Sequence, residues 1–346
     1  MPSAPARSPA VDPAAATPMA FARAIAEAYR HHGRDPAEAL RLAQIPPARL
    51  QQASARITAR QLEILSEAAM RELDDEALGT LSRRLPWGSY GMLARASLTS
   101  PTLGVALKRW CRHHGLLADD LALRVEIAGG TARVVVEERR PLPPGRREFF
   151  LVFVLRNIHG LACWYVDSRI PLQAARFPYP APPHAEAYRH MFAGALEFDA
   201  PVAELRFDAQ YLALPLCRDE QALRAMLQRA LPLPLLQYRR DRLLVQQVRQ
   251  IMRAHPEDAQ NAERLAGHLN ISARTLHRQL AEQGFSLQRL KDEVRCEQAR
   301  DLLYRTDKQV KQVAAACGFL NEKSFSRAFQ KWTGSSPGQF RAARAR

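Results

Sequence analysis

The last hundred residues of the chain contain one residue pattern twice, and this repeat restricts the fold more than any other feature. In the first copy, a helical segment with Leu265-Ala266 leads past Asn270 to a second segment with Leu276 and Leu280. The matching positions of the second copy are Val313-Ala314, Gly318, Phe325 and Phe329. The offset between copies is 48 residues before the turn and 49 after it, so one extra residue falls in the second turn, near Leu320.

Each copy predicts two helices joined by a tight turn. The small residues Ala266 and Ala314 let the second helix cross the first closely, and Asn270 and Gly318 tolerate the positive φ that the turn needs. Apolar residues four positions apart then give each second helix one buried stripe. Side chains suited to cap these second helices are Ser272 and Asn321. We therefore interpret each copy as a helix-turn-helix.

Polar side chains cover the other face of both second helices, and their types are those that read DNA grooves. The candidate DNA-contacting residues are Arg274, Thr275, His277, Arg278, Lys323, Ser324 and Arg327. A charged helix face is usually only solvated, but its duplication in matching positions argues against that interpretation here. From Arg240 onward there are 20 Lys and Arg against 11 Asp and Glu, so +9 of the net charge of +15 lies there. This excess favours double-stranded DNA as the partner.

The segment between the two copies, Leu287 to Tyr304, has helical periodicity and contains neither Gly nor Pro. At about 1.5 Å per residue it would be ~27 Å long, which is near the ~34 Å repeat of B-DNA. The sequence therefore predicts an all-α C-terminal domain in which a long helix joins two helix-turn-helix motifs. One subunit could then place both second helices in adjacent turns of one groove.

The segment from Arg240 to Ala343 resembles the DNA-binding domain of the AraC/XylS-type transcriptional regulators. The features that agree in order are Glu297-Gln298-Ala299-Arg300-Asp301-Leu302-Leu303, Val310, Val313-Ala314, Cys317-Gly318-Phe319, Phe325-Ser326-Arg327-Ala328-Phe329, Trp332-Thr333-Gly334 and Ser336-Pro337. The resemblance implies that the first recognition helix makes most base contacts, through Arg274, His277 and Arg278. It also implies a ligand-responsive activator that works with RNA polymerase.

The preceding part of the chain predicts an α+β domain. Two segments with period-two alternation flank Gly129-Gly130, which indicates a hairpin. Expected helices are Ser66 to Leu85, Ser97 to Trp110 starting at a Ser100 cap, Phe149 to Tyr165, His184 to Phe192 and Asp219 to Ala230; short strands are expected at Pro171 to Phe177, Ala195 to Phe198 and Glu204 to Phe207. The domain boundaries expected are a disordered tail (1–17), an effector or oligomerisation domain (18–231), a linker (232–240) and the DNA-binding domain (241–346).

This N-terminal part resembles the arabinose-binding-type effector domain of one branch of the same regulators. The residues that carry the resemblance include Ser100-Pro101-Thr102-Leu103-Gly104 and Arg176-Phe177-Pro178-Tyr179. The resemblance implies a small-molecule effector, but it does not identify one. Candidate effector-binding residues are Trp87, Tyr90, Arg156, His159 and Trp164. Ordinary core packing is the alternative for each of them, and a homodimer formed through this domain is a further alternative.

Motifs that would indicate an enzyme are absent from the sequence: there is no GxSxG, HExxH, Walker loop or GxGxxG. A DNA-repair alkyltransferase would need clustered cysteines, whereas the five cysteines are scattered. The adjacent pairs His31-His32 and His113-His114 point to different faces, so we expect surface histidines, no metal and no cofactor. The sequence thus favours a protein that is not an enzyme.

The N-terminus lacks the basic and apolar segments of a secretory signal, and no stretch is expected to be long and apolar enough to span a bilayer. We therefore expect a cytoplasmic, sequence-specific regulator. The alternative of another class is an architectural protein that binds DNA with little sequence choice and uses its N-terminal domain only for assembly.

Overall fold

The computed structural model describes residues 16–228 and 241–343, which form two compact units separated at Arg239/Arg240. The expected linker, 232–240, lies outside the described residues, as does the expected tail up to residue 15. Thr17, the last residue of that expected tail, already belongs to a strand.

The N-terminal unit combines helices with a mixed sheet, as expected from the sequence. Its helices are α1 (Met19–His31), α2 (Ala37–Leu42), α3 (Ala59–Glu72), α4 (Ser89–Ser97), α5 (Leu103–Leu117), α6 (Pro144–Val166), α7 (Tyr188–Met191) and α8 (Glu220–Leu227). Its strands are β1 (Thr17–Pro18), β2 (Arg56–Ile57), β3 (Leu121–Ala128), β4 (Thr131–Glu138), β5 (Leu172–Arg176), β6 (Ala195–Glu197) and β7 (Ala203–Asp208).

Five of these strands form one sheet in the order β3-β4-β7-β5-β6, in which only the β5–β6 pair is parallel. The predicted hairpin is confirmed as β3–β4, and both glycines of its turn have positive φ. Glu204 on β7 is fully buried and forms ion pairs with Arg133, Arg176 and Arg206. Three guanidinium groups therefore compensate the one carboxylate that the sheet buries completely.

The helix α6 is the most apolar element of the unit. Its length and composition would suffice to cross a membrane, so the expectation that no stretch could do so was wrong. However, 83% of its most apolar stretch is buried inside the unit. Apolar residues on all sides are typical of a helix at the centre of a domain, and the Phe21 ring of α1 packs on Phe149 of α6 at 5.4 Å. The helix is thus part of the core.

The helix predicted for Ser66 to Leu85 was wrong in its second half, because α3 ends at Glu72. The buried carboxylate of Asp75 accepts hydrogen bonds from the backbone N–H groups of Ala77, Gly79 and Leu85. These bonds satisfy the backbone of an irregular loop and replace the helical ladder. The cap expected at Ser100 was also wrong, since the side chain of Thr102 caps α5.

One of the histidines expected at the surface, His114, is buried, and another, His32, is half-buried. The Nδ1 atom of His32 lies 2.9 Å from the carbonyl oxygen of Ala28, and its ring faces Asp75. His114 is only 3% exposed and lies beside Trp110 at 5.4 Å between ring centroids. Burial lowers the pKa of His114 from 6.5 to about 4, because the charged imidazolium loses its hydration.

The C-terminal unit is helical. Its helices are α9 (Leu243–Ala254), α10 (Ala262–His268), α11 (Ala273–Glu282), α12 (Leu287–Arg305), α13 (Val310–Ala316), α14 (Glu322–Thr333) and α15 (Pro337–Ala343). They enclose two separate apolar cores. One core contains side chains of α9, α10, α11 and α12, and the other contains side chains of α12, α13 and α14.

The helix α12 contributes to both cores with opposite faces. Leu290 and Val294 are buried in the first core, and Ala299 and Leu303 are buried in the second. Each member of the second pair follows its counterpart by nine residues, which is two and a half turns at 3.6 residues per turn. The two cores therefore lie on opposite sides of one helix.

The buried His114 makes the stability of the N-terminal unit dependent on pH. Its pKa is lowered in the folded chain, so its contribution is complete above pH ~6.5 and is lost as the pH falls towards ~4. Between pH 7.5 and pH 5 this amounts to about 2 kcal/mol of unfolding free energy. We predict that His114→Phe, which cannot titrate, reduces that pH dependence in urea unfolding of the full chain.

The exposed His190 provides the matched control, because His190→Gln removes a histidine that folding leaves in contact with solvent. Identical pH dependence in His114→Phe and the wild-type chain would contradict the assignment.

Candidate nucleic-acid interface

The helix α11 is fixed by its turn, its cap and its buried face. Asn270 adopts a φ of 54° in the turn, and the Ser272 side chain accepts from the backbone N–H of Thr275 at 3.1 Å. Leu276 and Leu280 are fully buried. The turn, the cap and the buried stripe predicted for this helix are confirmed.

The opposite face of α11 is open to solvent. Arg274, His277 and Arg278 are all exposed. The Nε atom of Arg278 lies 3.8 Å from a carboxylate oxygen of Glu282, and both side chains are about two-thirds exposed. A pair this exposed contributes little free energy, so the guanidinium group can exchange this partner for another acceptor.

The helix α14 repeats this arrangement. Gly318 has a φ of 73°, and the Asn321 side chain accepts from the backbone N–H of Ser324 at 2.8 Å. Lys323 and Arg327 are exposed on the face opposite Phe325 and Phe329, which are fully buried. The extra residue of this turn leaves Leu320 fully exposed.

Two of the predicted contact residues have a structural task as well. Thr275 is half-buried, and its Oγ1 lies 2.9 Å from Oγ of the Ser272 cap. Ser324 is also half-buried, and its backbone N–H is used by the Asn321 cap. These residues therefore stabilise the starts of α11 and α14. In contrast, within the described part of the chain, Arg274, Lys323 and Arg327 take part in no ion pair.

Side chains of α12 hold the turn before α14 in place. Arg295 donates to the carbonyl oxygen of Gly318 at 3.1 Å, and its guanidinium group lies 4.9 Å from the Phe319 ring centroid. Gln298 donates to the carbonyl oxygen of Ala316 at 3.2 Å. The position of the second exposed basic helix is thus tied to α12 by polar contacts as well as by the second core.

The five candidate effector-binding residues are distributed over the N-terminal unit. Trp87 is 37% exposed beneath the guanidinium group of Arg71. Arg156 and His159 on α6 donate to backbone carbonyl oxygens, those of Met191 at 2.6 Å and Ile170 at 2.8 Å. These two side chains therefore hold neighbouring chain segments onto α6.

The other two candidates lie near the ends of α4 and α6. The backbone N–H of Tyr90 donates to Glu76, and Trp164 is 5% exposed beneath Arg218. Burial raises the pKa of Glu76 to about 7.

Two grooves mark the surface of the N-terminal unit, and neither is lined by any of these five candidates. The first, of about 380 Å³, lies between α1 and α6; we call it the α1–α6 groove. Its lining residues are Ala20, Phe21, Arg23, Ala24, Glu27, Arg30, Pro144, Gly145, Glu148 and Phe149. The second, of about 350 Å³, is lined by His31, His32, Asp75, Gly79, Leu81, Ser82 and Arg84.

Sequence reasoning did not single out the charged residues of the α1–α6 groove. Arg23, Glu27 and Arg30 recur at helical spacing along α1, which is a detectable signal, but their facing partner Glu148 is distant in the chain. Sequence reasoning also missed a cluster of His255, Asp258 and His268 in the C-terminal unit. The sequence pattern that could have indicated this cluster is a histidine and an aspartate three residues apart, followed by a second histidine ten residues later.

Two exposed basic helices, each capped and packed on its own core, define a DNA-binding protein of the helix-turn-helix class. Comparison with protein families agrees: residues 265–343 match the helix-turn-helix domain, and residues 33–216 match the "arabinose-binding domain of AraC transcription regulator, N-term". The chain belongs to the AraC family of transcription regulators.

Individual relatives share different lengths of the chain. The ornithine utilization regulator of Pseudomonas aeruginosa is 29% identical over 330 residues, which are 94% of this chain and 96% of that protein. The transcriptional activator RhaS of Escherichia fergusonii is 37% identical over 91 residues, which are 26% of this chain and 33% of RhaS. The solved DNA-binding domain of AdpA, in complex with a target DNA, is 33% identical over 29% of this chain and 90% of that domain, with a TM-score of 0.26.

Proposed function

We propose that this regulator reads a specific DNA sequence with α11 and α14, and that a small molecule bound to the N-terminal unit controls its action as an activator. The observation that carries the DNA-reading part is the pair of exposed basic helices on two cores that share α12. Contact with RNA polymerase, assembly as a homodimer and action in the cytoplasm are parts of the proposal that rest on family resemblance.

In this proposal α11 carries the principal base readers. Arg274 and Arg278 are four residues apart and therefore lie one above the other on one face of the helix. A guanidinium group can donate two parallel hydrogen bonds to O6 and N7 of guanine in the major groove. His277, Lys323 and Arg327 supply further base or phosphate contacts, while Thr275 and Ser324 contribute hydroxyl groups close to the helix starts.

We predict that Arg278→Ala weakens binding to the cognate site by about 1–3 kcal/mol and changes nonspecific binding much less. The reason is that a base-edge contact is lost only on the cognate sequence. Fluorescence anisotropy on cognate and random duplexes at one salt concentration measures both effects.

The control is Arg41→Ala, which removes an exposed arginine of the N-terminal unit. Equal losses on both duplexes would instead support the architectural alternative, in which basic residues bind DNA without sequence choice.

The second part of the proposal is bipartite DNA binding by a single subunit. The helix α12 has 19 residues, which corresponds to about 28 Å. The proposal treats the helices flanking it as two helix-turn-helix motifs that it joins. A rigid helix of this length suits two recognition helices that enter successive major-groove segments about 34 Å apart.

We predict that one subunit protects two major-groove segments on one face of the DNA, with centres ~10 base pairs apart. Val294→Pro should abolish protection of the pair, because proline removes a backbone donor inside α12 and costs ~3 kcal/mol or more. Hydroxyl-radical footprinting measures the protection, and circular dichroism reports whether the variant keeps its helices. A wild-type footprint of one segment per subunit would refute bipartite binding.

The third part of the proposal places the effector in the α1–α6 groove. Its volume falls in the range of small-molecule sites, and it joins an apolar floor to a few convergent charged groups. The floor contains Phe21 and Phe149, and the charged groups are Arg23, Glu27, Arg30 and Glu148. Groups of both signs favour a zwitterionic ligand.

Among the described residues, each of the two carboxylates contacts its protein partners through Oε1 only, which leaves Oε2 for a ligand cation. Glu148 accepts hydrogen bonds from His184 at 2.6 Å and from Tyr188 at 2.7 Å, and both end on Oε1, so Oε2 can accept from a ligand. Glu27 faces Arg146 at 3.4 Å. Arg23 donates to the backbone carbonyl oxygen of Leu50 and not to an acidic side chain. Its guanidinium group can therefore bind the carboxylate of a ligand. We infer an amino acid with a cationic side chain, and similarity to an ornithine utilization regulator supports L-ornithine as the first candidate.

We predict that L-ornithine raises the thermal unfolding midpoint of the full chain, because a ligand that binds only the folded state stabilises it. Putrescine lacks the carboxylate and norvaline lacks the side-chain ammonium, so each should stabilise less. The variant Glu27→Gln should reduce the shift, while Arg84→Gln in the second groove should preserve it. An unchanged midpoint with all three compounds would reject this effector assignment and leave the DNA-binding part standing.

A further inference from the structure

Three potential metal ligands meet beside the first core of the C-terminal unit. His255 follows the last residue of α9, Asp258 begins a short 3₁₀ turn, and His268 is the last residue of α10. One ligand atom from each lies within 4.8 Å of the other two. The two imidazole rings stack with centroids 4.7 Å apart and an interplanar angle of 20°.

We propose that His255, Asp258 and His268 bind one divalent transition-metal ion of the Zn²⁺ type. Two imidazole nitrogens and one carboxylate oxygen are a donor set that such ions accept, with water completing a tetrahedron. Tetrahedral Zn²⁺ with bonds of about 2.1 Å needs donor atoms about 3.4 Å apart. The side chains of His255 and His268 are 47% and 34% exposed, so they can rotate to bring their nitrogen atoms closer to the Asp258 carboxylate.

Hydrogen bonds already orient the cluster. Asp258 accepts from Arg264 through Oδ1 and from Nε2 of His268 through Oδ2, each at 3.0 Å. Metal binding replaces the second bond: His268 takes the tautomer protonated on Nδ1 and presents Nε2 to the ion, while Oδ2 becomes a ligand. Arg264 keeps Oδ1, which holds the carboxylate in position as an outer partner. Glu257, 3.7 Å from Nδ1 of His255, adds negative charge that favours a cation.

The site would tie together two helices that support α11. Met252, in the last turn of α9, and Leu265 and Ala266 of α10 are buried in the same core as Leu276 of α11. A metal ion bonded to the ends of α9 and α10 would therefore stabilise the apolar core against which α11 packs. This role is independent of the effector and of the DNA sequence that is read.

The test uses the full chain after chelator treatment, titrated with Zn²⁺ by calorimetry. We expect one ion per chain at this site and a higher thermal unfolding midpoint. His255→Gln combined with His268→Gln should lower the affinity by more than about tenfold, since even outer-shell partners of metal sites contribute about 10–100-fold. His190→Gln, which removes an exposed histidine of the N-terminal unit, should bind as the wild-type chain does.

Absorption spectra with Co²⁺ separate this site from the five cysteines. The proposed donors give d–d bands without a thiolate-to-metal charge-transfer band, and these d–d bands should disappear in the double variant. A thiolate band in the wild-type chain, undiminished Zn²⁺ binding by the double variant, or no binding by the wild-type chain would overturn the proposal. Circular dichroism of the double variant confirms that its helices are intact.

Discussion

The C-terminal unit depends on one helix that is buried on opposite faces at its two ends. Leu290 of α12 packs in the first core and Leu303 packs in the second. Because both side chains belong to one helix, formation of either core also orders the part of α12 that borders the other core. Polar contacts reinforce the coupling, since Arg249 and Arg253 of α9 pair with Glu293 and Glu297 of α12. The positions of α11 and α14 therefore depend on α12.

The two units use arginine in different ways, and the contrast supports the assignment of the interface. In the N-terminal sheet, arginines surround Glu204 or pair with neighbouring glutamates, so their charge is compensated within the fold. On α11 and α14, Arg274 and Arg327 form no ion pair with any described residue. Basic groups without an internal counterion can bind phosphates or base edges without first breaking an ion pair inside the protein.

The sequence predicted the C-terminal unit well because its signals are local. A cap, a turn residue and an apolar stripe all lie within about ten positions of Asn270, and the same is true of Gly318. The loop after α3 could not be predicted this way, since Asp75 replaces helical hydrogen bonds through partners up to Leu85. Burial of His114 and the convergence of α1 with α6 also depend on tertiary packing. The effector residues chosen from α6 were good candidates by type, but the structure uses their polar atoms to hold backbone segments.

The shared helix also limits how such a chain can change during evolution. Insertion of one residue in the middle of α12 would rotate everything after it by about 100° and shift it by about 1.5 Å. The second core would then pack on a different side of α12, and the orientation of α14 relative to α11 would change. Side chains of α12 that contact no neighbouring element can vary, but its number of residues cannot. Length, rather than composition, is therefore the property of this segment that selection must preserve.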